Sequence, residues 1–494
     1  MLAMIAAAVI GSATPLPSVD DLVLRHKHAV GRFASTTAHW TGTITRGDGA
    51  EHFEVTADYT GRYRQSWTTP LGTYMEGCDG TNDWVADENG TVTTQPTQHQ
   101  FSFEYALVRL NAFRLDSTTQ ATVSGPVDVD GRHAYALKLV EGDRSTTLYL
   151  DVQTALVDGA DSGDHVVRYK TYKTFDGAPI PTSIEETAGG SKVTRTIDDV
   201  TFGVSVAGAF DAPAPREPAF PTGDDDVNTT FDSPHGLIVL QAKINDKPVR
   251  LLLDSGSSSS VIDADVAKNL QLPTAGTAQV QGAGLLSGTF ARADKVDVAG
   301  ITFTPLIMEA IPLKLPDTIS HEKIDGVLGY DFLSHVVARI AYFTKQIQFI
   351  RPDTFKYSGT GAVLTADLSS RVPYVPASMG SGDKGTFTVD TGSDEGLVLY
   401  NDFASQHLRD FVDPMEMQQK SSGGVGGEFS TRAGVVTLFN LGIFQVTQVP
   451  AEIVLHASGA FSQGESDGLI GARVLGEFRA VFLDYRGKRL ILEK

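Results

Sequence analysis

Leu251–Ile262 reads LLLDSGSSSSVI, and Phe387–Leu399 reads FTVDTGSDEGLVL. Each is an apolar run followed by Asp, a hydroxyl residue, Gly and Ser. The four residues are Asp254-Ser255-Gly256-Ser257 in the first stretch and Asp390-Thr391-Gly392-Ser393 in the second. The likeness continues downstream, where Asp325–Ile350 (DGVLGYDFLSHVVARIAYFTKQIQFI) aligns without a gap to Asp467–Leu492 (DGLIGARVLGEFRAVFLDYRGKRLIL). The first pair is offset by 136 residues and the second by 142. Two ordered motifs at nearly equal spacing mark an internal duplication, so the C-terminal half reads as two copies of one ~120-residue β unit.

The motif has a local logic. The apolar run ending at Leu253 reads as a strand that carries Asp254 out of a buried layer into a tight loop. Gly256 then permits an unusual backbone and close approach of the counterpart loop. The hydroxyls of Ser255 and Thr391 can reach across to the other copy, and those of Ser257 and Ser393 can donate to the outer carboxylate oxygens. A lone Asp-Ser-Gly is a common turn. Here both copies also carry an apolar-apolar-Gly turn, Val327-Leu328-Gly329 and Leu469-Ile470-Gly471.

In this order of motifs, residues 230–494 resemble the aspartic peptidases, as a single chain made of two retropepsin-like halves. The resemblance implies that halves at 227–356 and 357–494 pack about a pseudo-twofold axis, with Asp254 and Asp390 meeting there as the catalytic pair. Ser255, Gly256, Ser257, Thr391, Gly392 and Ser393 would support the pair, with no metal or other cofactor. Two carboxylates held together cannot both ionise cheaply, so the pair keeps one proton. The ionised member can then act as general base on a water while the other donates toward a peptide carbonyl. Hairpins expected at Gln279–Phe290 (QVQGAGLLSGTF) and Ser421–Phe429 (SSGGVGGEF) supply flap tips at Gly282, Gly284, Gly424 and Gly426, which can bend over a cleft and bind substrate. Pepsin-like members usually carry an aromatic flap residue, and Gln279–Phe290 holds no Tyr or Trp.

The composition agrees with a mainly β protein. Of 494 residues, 49 are Gly, and long helical patterns are scarce. Sixty acidic residues against forty basic ones give a net charge of −20, which disfavours binding to a phosphate backbone. One cysteine, Cys78, excludes an intrachain disulfide framework, and the twelve His show no H-E-x-x-H spacing. Asp325 and Asp467 are expected to form turns before Gly, and Asp394 and Glu395 to sit on a solvated loop.

Upstream, residues 20–210 alternate in short stretches such as His52–Tyr59 (HFEVTADY) and Ala134–Val140 (AYALKLV), with helices expected near Val19–Phe33 and Tyr105–Leu115. Gly61-Arg62-Tyr63-Arg64, Asp79-Gly80 before Trp84, and Phe175-Asp176-Gly177 before Ile180-Pro181 resemble bacterial lipoprotein-carrier-like domains. That resemblance implies a curved, half-barrel-like antiparallel sheet able to take an apolar or lipid ligand. Asp211–Asp226 (DAPAPREPAFPTGDDD) reads as an extended, solvated linker. Leu2–Ile10 (LAMIAAAVI), ending in small residues, reads as part of a signal peptide over 1–13 and predicts a periplasmic or secreted protein. Nothing later approaches ~20 consecutive apolar residues, so no transmembrane segment is expected.

The expectation is an exported aspartic endopeptidase: a half-barrel-like N-terminal sheet, then a bilobal acid-protease β-barrel fold. The alternative is an inactive module of the same fold that binds peptides or lipids, and a third reading is self-processing within the linker.

Overall fold

Alternating apolar and polar residues become strands over most of the chain. The computed structural model describes residues 15–31, 36–46, 49–96, 120–141, 144–313, 323–380, 382, 384–455 and 466–494. The apolar run Leu2–Ile10 and the helix expected at Tyr105–Leu115 lie outside the described residues. Two compact units separate. One takes the described residues up to Asp87 with Val92–Ala214, the other Glu88–Thr91 with Pro215–Lys494.

The first unit is one thirteen-stranded antiparallel sheet. Each strand pairs with a sequence neighbour, and the first, Ala38–Arg46, also pairs with the last, Ser191–Phe202. The edges are therefore Val92–Pro96 and Gln120–Val129. Irregular register at Thr41/Gly42 and at Val157/Gly159 bends the strands. The helix Val19–Val30 starts at Ser18, whose hydroxyl caps Asp21 N, and ends at Gly31 with φ 59°. Its Leu22 and Val23 join Trp40, Phe53, Leu150 and Ile184 in the core.

The second unit carries the duplication as geometry. Lys247–Leu253 and its counterpart Lys384–Val389 each lie parallel to the short strand of the apolar-apolar-Gly turn, Gly326–Leu328 and Gly468–Ile470 respectively. The first copy forms a nine-stranded sheet and the second a seven-stranded one. The difference is in continuity: Val296–Val298 and Ile301–Phe303 are separate strands in the first copy, whereas in the second the matching pair is the far end of Gly427–Leu441 and Phe444–Val454, with Leu441 opposite Ala377 as Val298 is opposite Ala242. A six-stranded sheet joins the copies in the order Asp226–Thr230, Gln346–Ile350, Val337–Ala341, Ala480–Asp484, Arg489–Glu493 and Ala362–Thr365. Its middle pair couples one copy to the other, with Ala338 opposite Leu483 and Ile340 opposite Val481. Mainly β architecture and a pseudo-twofold C-terminal unit are thus both present.

The stretch expected as a solvated linker is partly packed. Glu217 reaches buried His335 at 3.3 Å and Arg486 at 2.6 Å, Ala219 exchanges backbone hydrogen bonds with Thr302, and Phe220 lies 4.5 Å beneath the Arg351 guanidinium. Residues from Pro215 onward therefore group with the second unit.

Candidate active site

The two Asp-containing loops meet head to head. Leu253 and Val389 are fully buried at the ends of their strands, and the amides of Asp254 and Asp390 bond to Leu328 O and Ile470 O, each at 3.0 Å. The loops are cross-braced. Ser255 N donates to Thr391 Oγ1 and Thr391 N to Ser255 Oγ, both at 3.0 Å. Ser255 Oγ in turn donates to Val389 O at 2.7 Å, and Thr391 Oγ1 to Leu253 O at 2.8 Å. Each hydroxyl thus accepts from an amide and donates to a carbonyl of the opposite copy, and both residues are wholly buried.

Close approach fixes the glycines. A Cβ on Gly256 would lie 2.7 Å from Asp390 Cγ, and one on Gly392 would lie 2.4 Å from Asp254 Cγ. Each glycine therefore makes room for the other copy's carboxyl group. Gly329 and Gly471 serve the layer below, where a Cβ would fall 2.2 Å from Ser259 O and 2.3 Å from Glu395 O. Beside them Tyr330 N bonds Ser257 O at 3.0 Å and Ala472 N bonds Ser393 O at 2.8 Å.

The carboxyl groups of Asp254 and Asp390 are hydrogen-bonded to each other. Burial pushes Asp254 above the usual carboxylate range, against the lowering pull of Asp390 and of the Gly256, Gly392 and Ser257 amides. Burial, then the charge of Asp254, pushes Asp390 well above that range. A pair in this state holds one proton between two oxygens. Gly256 N donates to Asp254 Oδ1 at 2.7 Å and Gly392 N to Asp390 Oδ1 at 2.8 Å. The serines expected to orient the carboxylates act otherwise. Ser257 Oγ is drawn to Ser259 O at 2.7 Å, Ser393 Oγ accepts from Glu395 N at 3.4 Å, and only their backbone amides face the acids.

Above the pair, two hairpins close a cleft of about 580 Å³. They are Thr274–Gln281 with Leu285–Ala293, and Gln418–Gly424 with Gly427–Leu441. Their tips interlock. A Cβ on Gly282 would meet Val425 O at 2.2 Å, and one on Gly284 would meet Gly426 O at 2.3 Å; Gly426 has φ 91°. Each tip seats its side chain in the opposite copy. Val425 packs with Leu237, Leu252 and Val327, and Ala283 packs with Val398, Phe429 and Leu469.

The cleft wall of the second copy is charged. Lys420 bridges Glu395 at 3.0 Å and Glu452 at 2.5 Å, and Glu452, only 2% exposed, also accepts from Thr431 at 3.0 Å and from Ser422. Burial raises the Glu395 carboxyl although Lys420 lowers it. Glu395 is thus an ion-paired wall residue rather than part of a solvated loop. Sequence reading missed Lys420 and Glu452; the available signal was a carboxylate inside the apolar run Ala451–Val454. Asp325 and Asp467 clip strands, accepting from Arg250 N at 2.8 Å and Thr386 N at 2.7 Å. Among the described residues no group of three or more His, Cys, Asp or Glu is placed to hold a metal ion.

Comparison with known proteins agrees for part of the chain. Residues 240–332, within the first copy, match the family model described as Aspartyl protease. The C-terminal region is therefore of aspartyl-protease type. No curated protein matches the chain. Similar solved structures include a LolA superfamily protein from Nitrosomonas europaea, at 12% identity over 37% of this chain and 93% of that one, with a TM-score of 0.30. A DUF1329 family protein from Desulfovibrio piger is 16% identical over 39% of this chain and 97% of its own, with a TM-score of 0.31.

Proposed function

We propose that the C-terminal unit is an aspartic endopeptidase in which Asp254 and Asp390 activate a water. The observation that carries this reading is the buried, cross-braced carboxyl pair facing a closed cleft. The ionised carboxylate takes a proton from water as the water oxygen attacks the peptide carbonyl carbon, and the protonated partner gives its proton to the carbonyl oxygen. The resulting gem-diol collapses as the carboxyl group that took the water's proton passes it to the amide nitrogen, which leaves as the amine, while a hydroxyl proton returns to the other carboxylate. The flaps supply exclusion of bulk water, which strengthens both proton transfers.

Unfolded polypeptide is the substrate class proposed, bound as a strand-like segment between the flaps and the Asp loops. Export is proposed on the apolar run Leu2–Ile10, and among the described residues no helix is long and apolar enough to cross a membrane. An apolar or lipid ligand at the N-terminal sheet is proposed on its sequence motifs. The test is digestion of a peptide library from pH 3 to 8 by the wild type, Asp254→Asn and Asp390→Asn. The wild type should cleave and both variants should fold and fail to cleave. Cleavage by either variant removes the pair from the mechanism. Peptide binding without cleavage by the wild type would make the unit a binding module.

A further inference from the structure

The duplication is broken directly beneath the carboxyl pair. Tyr485, 5% exposed, follows the central strand Ala480–Asp484 and points its hydroxyl at Ser255 O, 3.3 Å away. Ser255 O and Gly256 N belong to one peptide group, and that same Gly256 N–H donates to Asp254 Oδ1 at 2.7 Å. A donor on the carbonyl side of a peptide polarises its N–H and strengthens the bond that the N–H makes. In the gapless alignment the counterpart of Tyr485 is Phe343, which is 94% exposed and has no hydroxyl to offer. The Thr391–Gly392 peptide, whose amide serves Asp390 and also pulls on Asp254, thus receives no phenol from the position equivalent to Tyr485.

We propose that Tyr485 is a positioning residue for the pair, polarising the Ser255–Gly256 peptide so that Asp254 carries the charge and Asp390 the proton. This rests on the peptidase reading and deepens it by dividing the two roles: Asp254 becomes the general base and Asp390 the acid. The raised state of Asp390, held well above the usual range by burial and by the charge of Asp254, fits the same division. Other titratable or charged groups face this place. The Tyr330 ring packs edge-on at 5.8 Å from Tyr485 with Arg371 5.3 Å above it, Tyr342 and Tyr400 sense Asp390, and Asp394 and Glu395 line the cleft above. Tyr485 acts on a carboxylate through a shared peptide rather than through space alone.

The test is Tyr485→Phe, with Tyr342→Phe as control, since the Tyr342 hydroxyl is buried near Asp390 without a hydrogen-bond partner. In Tyr485→Phe the acidic limb of kcat/KM should move up by about 0.3 pH unit, a doubling of proton affinity, with KM unchanged. Tyr342→Phe should leave the limb in place. A purely structural tyrosine would lower the melting temperature without moving the limb, and an unmoved limb in folded Tyr485→Phe overturns the proposal. Carboxyl carbon-13 NMR of Asp-labelled protein reads the pair without substrate, with Asp254→Asn and Asp390→Asn for assignment. Asp254 should ionise in the lower step; Asp390 ionising first overturns the proposal even if Tyr485→Phe does not fold. Failure of the wild type to cleave would refute the peptidase reading while leaving the NMR result to decide the role of Tyr485.

Discussion

Replacing Thr391 by Val removes one hydroxyl and almost no volume, so its cost isolates the cross-brace. Thr391 Oγ1 accepts from Ser255 N at 3.0 Å and donates to Leu253 O at 2.8 Å, and nothing at this wholly buried position lets water substitute. Two buried bonds are lost and two backbone groups are left without partners, together about 3 kcal/mol. For a unit of this size that corresponds to a fall in melting temperature of roughly 6–12 °C. Thr391→Ser, which keeps the hydroxyl, should lose less than about half of that. Calorimetry of the C-terminal transition reads both. Combined with Ser255→Ala, the double-mutant cycle should show a coupling of ~1–2 kcal/mol, because each residue supplies a bond to the other. Thr391→Val melting within about 1 °C of wild type would refute the reasoning.

Other perturbations follow from the same geometry. Gly284→Ala places a Cβ only 2.3 Å from Gly426 O, so the flap tips should part. Proteolytic nicking of the Gln279–Phe290 hairpin should then rise and KM increase several-fold, with the melting temperature held; unchanged nicking and KM would count against tip-to-tip closure. Lys420→Met leaves buried Glu452 without its cation and should cost ~3 kcal/mol, with Glu452→Gln restoring most of it, as urea unfolding would show; a neutral Lys420→Met would mean the bridge is idle. In the N-terminal unit, burial raises Asp158 to about 6 from an ordinary 3.8, outweighing its 2.6 Å ion pair with Arg132. The folded state therefore binds more protons than the unfolded one between about pH 4 and 6. Stability should fall as pH rises through that window, by about 2 kcal/mol at pH 7, and Asp158→Asn should recover it. Equal pH dependence in wild type and Asp158→Asn, by urea unfolding at pH 4.5 and 7.5, would refute this.

The site was legible where chemistry is written in adjacent residues. Asp254-Ser255-Gly256 and Asp390-Thr391-Gly392 announce tight loops, and the gapless second repeat places Gly329 and Gly471 beneath them. Alternation between Ala134 and Val140 announced the strand Arg132–Glu141. Contacts set by tertiary folding were not legible. Lys420 meets Glu395 and Glu452 only because the second flap folds back over the Asp390 loop. The hydroxyl of Ser257 prefers a carbonyl two residues on, a local competition that motif matching does not weigh. Asp211–Asp226 has no periodicity and so reads as a linker, yet its part from Pro215 onward docks through side-chain and backbone contacts at Glu217, Ala219 and Phe220. The N-terminal helix was placed to within three residues at its end because Gly31 stops it.

The central claim concerns two acids acting as one group, and inhibitor affinity tests it most directly. A statine-type peptide presents a secondary hydroxyl where the attacked water would lie, bonded to both carboxyl groups at once. Titration calorimetry should show tight binding to the wild type and a loss of about 100-fold or more in both Asp254→Asn and Asp390→Asn, as expected when a buried charged pair loses a member. Equal affinity for all three proteins would contradict the account.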